Sequence, residues 1–315
     1  MAGNFISFLI GVIVMVLVDG CTTVPEHPLT GRPGDVAKMK EIMARKDTLV
    51  HVSPETDSGK PVLILLHGAT EDPTEMMDIV QEWQGRYDVY LFAYNFHHRL
   101  STVAKDFVKE FRQLRNRPQH FETWNAELGM PVESKVEGVG GVAVTVVTFS
   151  YSSVVFREAV ILADDRPLFA QTSLIQLVPL AGGSSYARSL RNPVTAWVVS
   201  RFSPQTQAVI PYGGFAERLW SGAGNRIFYE SITPARMHSI LVEGDPHSLA
   251  KMANAKVHAD YLNGIGANVV VIPKCADICH DYFPTEPAAL AYLQQCLGPP
   301  VDEGTKLLAA AGIKN

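Results

Sequence analysis

Residues 142–153 read VAVTVVTFSYSS. The first eight of them, up to Phe149, are all apolar or β-branched, and this composition predicts a strand. Residues 154–163 are predicted to form a helix, so Ser150 lies at the turn between a strand and a helix. The rest of the chain repeats this order of a strand followed by a helix.

Further strands are predicted from apolar runs bounded by glycine, proline or polar residues. The run VLILL at residues 62–66 is continuous between Pro61 and His67-Gly68, which is typical of a strand buried on both faces. The other predicted strands cover residues 89–94, 173–180, 238–242 and 268–272. Apolar residues at helical spacing predict helices over 73–85, 102–115, 248–262 and 286–296.

Buried strands that alternate with amphipathic helices predict an α/β fold, with a mostly parallel sheet and helices on both of its faces. Right-handed crossover connections place the carboxyl ends of the parallel strands at one edge of the sheet. Ligands bind at that edge in open α/β sheets. We therefore expect the functional residues to follow directly after the strands.

Chemically informative residues do follow four of the predicted strands. The turn His67-Gly68-Ala69 comes after residues 62–66, and Ser150 comes after residues 142–149. Asp245 lies just beyond the strand at 238–242, and His280 lies between the last strand and the last helix. The chain order is therefore glycine turn, serine, aspartate and histidine.

This order resembles the α/β-hydrolase superfamily, in its lipase and esterase branch, over about residues 61–297. The resemblance implies a catalytic triad with Ser150 as nucleophile, Asp245 as the orienting acid and His280 as the base. A serine hydroxyl needs an imidazole to accept its proton, and a carboxylate to fix the tautomer of that imidazole. The resemblance also implies that the backbone N–H groups of Ala69 and Tyr151 stabilise the oxyanion.

The turn around the serine differs from the family pattern Gly-x-Ser-x-Gly. It reads Thr148-Phe149-Ser150-Tyr151-Ser152, so threonine and serine replace both glycines. Thr148 is branched at Cβ and is expected to crowd the turn. Two alternatives remain: Ser150 is an ordinary helix-capping serine, or Ser152 or Ser153 is the nucleophile.

The chain contains no other Gly-x-Ser-x-Gly. The nearest rival, Gly182-Gly183-Ser184-Ser185, follows the next strand and resembles the glycine-rich turn that many lipases carry there.

Other polar residues near the strand ends have competing interpretations. Glu243 and Asp260 are rivals of Asp245, which could instead cap a helix before Pro246. His67 is predicted to be structural, with its imidazole bonded to backbone near the turn. The pair His97-His98 could line a pocket, be exposed or contribute to a metal site.

The N-terminal region is predicted to direct the protein out of the cytoplasm. Residues 5–18, FISFLIGVIVMVLV, would form a helix of roughly 21 Å, which is short for a membrane span and typical of a signal peptide. The following Val18-Asp19-Gly20-Cys21 resembles a bacterial lipoprotein signal, which implies that Cys21 is the first mature residue and carries lipid. Simple secretion and an uncleaved anchor are the alternatives. All three place the folded domain outside the cytoplasm, and the lipoprotein resemblance implies the bacterial envelope, on the periplasmic side or at the cell surface.

The predicted organisation is a signal segment (1–20), a tether with a lead-in helix (21–47), a hydrolase domain (48–300) and a C-terminal tail (301–315). An insertion at residues 181–235 is rich in glycine, proline and aromatic residues. We interpret it as a cap or lid over the strand ends, with a subsidiary core patch as the alternative.

Three cysteines remain if Cys21 is lipidated. Outside the cytoplasm one bridge can form among them, pairing Cys296 with Cys279 or with Cys275. A zinc site on Cys275, Cys279 and His280 lacks a fourth ligand. We therefore predict no metal and no cofactor.

The composition excludes two classes of protein. With 47% hydrophobic and 19% charged residues, the 315-residue chain is too apolar for a disordered protein. A net charge of −5 without a long Lys/Arg cluster argues against a nucleic-acid partner.

The leading hypothesis is an extracytoplasmic serine hydrolase that cleaves small or lipid-like carboxylic esters and is held at the membrane by an N-terminal lipid. The first alternative is a catalytically inactive hydrolase fold that serves as a binding lipoprotein, which the altered serine turn favours. The second is a peptidase or amidase that uses the same triad.

Overall fold

The computed structural model describes residues 47–52, 60–68, 73–95, 98–116, 119–125, 130–136, 143–180, 219, 222–243, 260, 262–272, 284 and 286–298. Nine strands of these residues form one sheet in the order β5-β4-β1-β3-β2-β6-β7-β8-β9. Their bounds are β1 (Thr48–His51), β2 (Val62–Leu66), β3 (Asp88–Ala93), β4 (Gln119–Asn125), β5 (Met130–Val136), β6 (Val144–Phe149), β7 (Thr172–Leu177), β8 (Met237–Val242) and β9 (Asn268–Ile272).

Six adjacent strands, from β3 through β2 and β6 to β9, are parallel. On the other side of β3, β1 is antiparallel to it, β4 is parallel to β1, and β5 is antiparallel to β4. This architecture confirms the predicted fold class, a mostly parallel α/β sheet with helices on both of its faces. From β2 the chain proceeds to β3 on one side, whereas from β6 it proceeds to β7, β8 and β9 on the other. The order of the strands therefore reverses its direction between β2 and β6. In α/β sheets, ligand-binding crevices form at such a switch point.

Six helices are described in addition to 3-10 turns. They are α1 (Met77–Trp83), which continues the 3-10 turn Pro73–Met76, α2 (Leu100–Asn116), α3 (Ser152–Ala163), α4 (Arg166–Phe169), α5 (Gly222–Ser231) and α6 (Pro287–Leu297). No helix among these described segments is long and apolar enough to cross a membrane.

Successive strand residues supply two separate hydrophobic clusters, one on each face of the sheet. Ile64 of β2 belongs to the cluster that contains α2, α3 and α5 residues, for example Phe107. Leu65, the next residue, belongs to the cluster that contains Trp83 of α1 and Leu293 of α6. Helices therefore cover both faces, which explains why β2 is apolar at every position.

Several elements differ from the sequence-based expectation. β1, β4, β5 and α4 were not predicted, and the helix expected over 73–85 begins as a 3-10 turn and ends at Trp83. The strand expected over 173–180 ends at Leu177, because Val178 adopts a left-handed conformation with φ +40°. Of the predicted insertion 181–235, the structure describes Leu219, α5 and the four residues that follow it. The predicted signal segment, tether and C-terminal tail lie outside the described residues, apart from Asp47 at the end of the tether.

Candidate active site

Ser150 adopts a strained backbone conformation between β6 and α3. Its φ is +53°, in the left-handed region that costs a non-glycine residue about 1–2 kcal/mol. Its N–H donates to the carbonyl oxygen of Leu177 at 3.0 Å, and its own carbonyl oxygen accepts from the N–H and the hydroxyl of Ser153 at 3.2 and 2.7 Å. The strand–turn–helix with a strained serine is the geometry of a nucleophile elbow, and such strain clusters at functional sites.

Ser152 occupies the second glycine position of the elbow and supports it by hydrogen bonding. Its Oγ accepts the N–H of Phe149 at 2.8 Å. The same oxygen lies 2.9 Å from the carbonyl oxygens of Leu66 and Phe149, so its single hydrogen can serve either. One side chain therefore joins the end of β6 to the end of β2.

Thr148 occupies the first glycine position and is fully buried within β6. Its Oγ1 has no hydrogen-bond partner among the described residues. An unsatisfied buried hydroxyl costs free energy, and the elbow forms in spite of it. The expected crowding therefore does not prevent the left-handed turn at Ser150.

Gly68 brings the turn after β2 into close contact with the elbow. A Cβ at this position would lie 2.9 Å from two ring atoms of Phe149, closer than real Cβ atoms approach other atoms. Glycine is therefore required here for close packing. The glycine turn and the serine elbow lie at the ends of β2 and β6, on the two sides of the switch point.

The imidazole of His67 is bonded to backbone, as predicted. Its Nε2 accepts the backbone N–H of Tyr94 at 3.3 Å, and the two rings stack with centroids 4.1 Å apart. The Tyr94 hydroxyl lies 2.8 Å from the carbonyl oxygen of His67 and 3.0 Å from that of Gly68. Complete burial raises the pKa of Tyr94 well above its usual range, so the hydroxyl stays a donor.

Glu75 contacts the same turn and was not identified from the sequence. Its Oε1 accepts the backbone N–H of Gly68. Glu75 lies in the 3-10 turn before α1, seven residues beyond Gly68. No sequence pattern indicates that a carboxylate seven residues beyond a glycine will accept a hydrogen bond from that glycine's N–H.

Tyr151, the predicted second oxyanion donor, is buried and immediately precedes α3. Its carbonyl oxygen accepts from the N–H groups of Val154 and Val155. A helix N-terminus favours negative charge nearby. Ala69, the other predicted donor, lies outside the described residues.

The other two residues of the predicted triad, Asp245 and His280, also lie outside the described residues. The strands that lead towards them, β8 and β9, are parallel to β6, so their carboxyl ends are at the same edge as Ser150. The rival acids Glu243 and Asp260 are both exposed, whereas a triad carboxylate is normally buried.

Among the cysteines, Cys296 is described, whereas Cys21, Cys275 and Cys279 lie outside the described residues. Cys296 carries a free thiol in this structure, and its pairing with Cys279 or Cys275 stays a prediction. Burial raises the pKa of the Cys296 thiol to about 11.

His98 pairs with a buried carboxylate that the sequence did not connect to it. Its Nδ1 lies 2.9 Å from Oδ2 of Asp47, which precedes β1 and also accepts the N–H of Asn95 at 2.8 Å. The His98 side chain is 41% exposed. His97 lies outside the described residues, and the described part of the chain contains no group of three side chains suited to a metal.

Arg157 connects the described part of the insertion to α3. Its Nε donates to the carbonyl oxygen of Leu219 at 2.7 Å, and another guanidinium nitrogen donates to Asn225. The guanidinium lies 4.2 Å from the ring centroid of Phe228 in α5. The insertion is thus attached to the helix that follows Ser150.

No protein-family model matches this chain, and no curated protein matches it. Among solved structures, it is similar to a hydrolase from Oleispira antarctica, at 13% identity and a TM-score of 0.41, over 88% of this chain and 98% of that one. It is similar to an esterase from the fungus Rhizomucor miehei, at 12% identity and a TM-score of 0.44, over 91% and 94%.

A third similar structure is an epoxide hydrolase of the α/β-hydrolase superfamily found in metagenomes from hot environments. It is 13% identical, with a TM-score of 0.43, over 79% of this chain and 93% of that one. All three are hydrolases, but similarity at this level carries no conclusion about the reaction or the substrate.

Proposed function

We propose that this protein is a serine hydrolase that cleaves carboxylic esters through an acyl-enzyme, with Ser150 as nucleophile, His280 as base and Asp245 as the orienting acid. The observation that carries the proposal is the left-handed backbone of Ser150, at φ +53° between β6 and α3. A non-glycine residue is held in this conformation beside a glycine turn, at the switch point of a parallel sheet. A helix-capping serine requires no such strain.

In the proposed reaction, His280 accepts the proton of the Ser150 hydroxyl while Oγ attacks the ester carbonyl carbon. The resulting oxyanion accepts hydrogen bonds from the backbone N–H groups of Tyr151 and Ala69. His280 then gives its proton to the departing alcohol as the acyl–oxygen bond breaks. A water molecule, deprotonated by His280, then attacks the acyl group and releases the carboxylic acid product from Ser150.

The preference for esters over amides is supported by the lipase and esterase resemblance of the sequence. An apolar acyl chain or alcohol is supported by the aromatic residues of the insertion 181–235. Of these aromatic residues, Phe228 and Tyr229 belong to the core beside Arg157 on α3, so the support comes from the composition of the rest of the insertion. The proposed substrate class is therefore an ester with an apolar group.

The proposed location is the bacterial envelope, with the protein held at the membrane by lipid on Cys21. The support is the apolar run at residues 5–18 and the cysteine that follows it. Replacing the lipid-bearing residue, Cys21→Ser, is expected to release the protein from the membrane fraction. Unchanged retention would indicate an uncleaved anchor instead.

The decisive experiment measures hydrolysis of p-nitrophenyl esters of increasing chain length by the full-length protein. Ser150→Ala is expected to abolish turnover and fluorophosphonate labelling, whereas Ser101→Ala in α2 serves as a matched serine control and retains both. A wild-type protein that neither turns over esters nor reacts with fluorophosphonate would contradict the proposal and favour the binding-protein alternative. Activity on amides with none on esters would favour the peptidase alternative.

A further inference from the structure

The peptide groups on both sides of Gly68 are held by side chains from outside the turn. The peptide group between His67 and Gly68 donates its N–H to Glu75, and its carbonyl oxygen lies 2.8 Å from the Tyr94 hydroxyl. The carbonyl oxygen of Gly68 belongs to the next peptide group and lies 3.0 Å from the same hydroxyl. The ring of Phe149 packs against Gly68 as well.

This arrangement restricts which N–H of the turn can stabilise an oxyanion. The Gly68 N–H is occupied by Glu75, so it is not available to substrate. The following N–H belongs to Ala69 and shares a rigid planar unit with the Gly68 carbonyl. A contact that fixes that carbonyl therefore also fixes the direction of this N–H.

We infer that Glu75 is a positioning residue: its carboxylate holds the glycine turn through the Gly68 N–H, so that the next N–H of the turn is oriented towards the oxyanion. Tyr94 holds the same turn from its carbonyl side. The inference rests on the proposed function, because it assigns Glu75 a role in that reaction. Glu75 is assigned this role through its hydrogen bond with the Gly68 N–H.

The role requires an acceptor oxygen and does not require a charge. A carboxylate close to the oxyanion opposes the developing negative charge, whereas a glutamine amide oxygen accepts the same hydrogen bond without that repulsion. Glu75→Gln should therefore preserve the position of the turn, whereas Glu75→Ala should lose it.

The test compares kcat and KM for p-nitrophenyl ester hydrolysis by the full-length wild type, Glu75→Ala, Glu75→Gln and Tyr94→Phe. Glu82→Ala, which changes an exposed glutamate of α1, is the matched control. Glu75→Ala is expected to lower kcat by about 10²-fold, the size of effect that a misplaced catalytic group produces, with KM changed less than about threefold. Glu75→Gln is expected to keep or exceed the wild-type kcat, and Tyr94→Phe to lower it. Equal losses in Glu75→Gln and Glu75→Ala, or an unchanged kcat in Glu75→Ala, would overturn the inference.

Amide hydrogen exchange at Gly68 provides a readout that needs no activity. Exchange is expected to be slow in the wild type and in Glu82→Ala, and faster in Glu75→Ala. If the wild type hydrolyses no ester, the proposed function fails and the catalytic role of Glu75 fails with it, while the exchange rate alone decides whether Glu75 holds the turn. If the wild type is active and exchange is the same in all variants, the inference fails and the proposed function stands.

Discussion

The backbone N–H of Ser150 donates a hydrogen bond to the carbonyl oxygen of Leu177 at 3.0 Å. Val178, the first residue after β7, is also left-handed, with φ +40°, and donates its N–H to the carbonyl oxygen of Ile240 at 2.9 Å. Two strained non-glycine residues therefore follow the neighbouring strands β6 and β7. The N–H of each donates to the next strand of the sheet, β7 or β8. These hydrogen bonds offset part of the backbone strain at the proposed catalytic edge.

Replacing Ser150 by glycine should relieve the strain that a Cβ causes at φ +53°. Ser150→Gly is expected to be more stable than Ser150→Ala by about 0.5–1 kcal/mol, after allowing for the greater freedom of glycine in the unfolded chain. Urea unfolding at neutral pH measures the difference. At Ser153, within helix α3, the alanine variant should instead be more stable than the glycine variant, because glycine is unfavourable in helices. If alanine were the more stable residue at both positions, Ser150 would not be strained.

Thr148 and Ser152 stand where the family pattern has glycine, and removing their hydroxyls should change the free energy of unfolding in opposite directions. Thr148→Val removes a buried hydroxyl that has no partner among the described residues and keeps the side-chain shape, so it should raise the free energy of unfolding by about 1 kcal/mol. Ser152→Ala leaves the N–H of Phe149 without its acceptor and should lower the free energy of unfolding by about 1–3 kcal/mol. Denaturant titration of both variants tests this. Destabilisation by Thr148→Val would mean that its hydroxyl is satisfied in solution.

The contact between Gly68 and Phe149 should appear as an energetic coupling. Gly68→Ala is expected to destabilise the protein by about 1–3 kcal/mol, because its Cβ would overlap the Phe149 ring. Phe149→Leu removes the ring, so the double variant should be more stable than the sum of the single effects predicts. A double-mutant cycle of unfolding free energies measures the coupling. Strict additivity would show that the turn moves away from Phe149 without cost.

Stability should decrease in mild acid, partly because of His238 on β8. Burial lowers the pKa of His238 below its value in the unfolded chain. The unfolded state therefore binds more protons as the pH falls, so the stabilising contribution is complete above the unfolded pKa of about 6.5 and decreases below it. His238→Gln should show a smaller loss of melting temperature between pH 7 and pH 5 than the wild type. An identical loss in both proteins would exclude this contribution.

The sequence predicts the parallel strands well because each is a short apolar run with a clear boundary. β1 was not predicted, because four residues at the end of a polar lead-in carry little periodic signal, and nothing local indicates its antiparallel direction. The pair β4 and β5 lacks such apolar runs, with the sequences QHFETWN and MPVESKV. The sequence identified the position of Ser150 from the strand–helix junction, but not the left-handed backbone that supports its assignment.

The side-chain contacts of the site depend on long-range packing that no local pattern encodes. Asp47 and His98 are 51 residues apart in the chain, and their pairing follows from β1 lying beside β3. The contact of Glu75 with Gly68 depends in the same way on where the 3-10 turn before α1 lies. Such residues have ordinary sequence surroundings, and only their neighbours in space distinguish them.

Ser152 has a consequence for how a strand–turn–helix of this kind is recognised and how it arises. A pattern that requires glycine two positions after the serine does not match this chain, although the Ser152 hydroxyl links the ends of β6 and β2. Two of the glycine codons become serine codons by one nucleotide change. An elbow tightened by the absence of a side chain and an elbow tightened by a hydroxyl are therefore a single mutation apart.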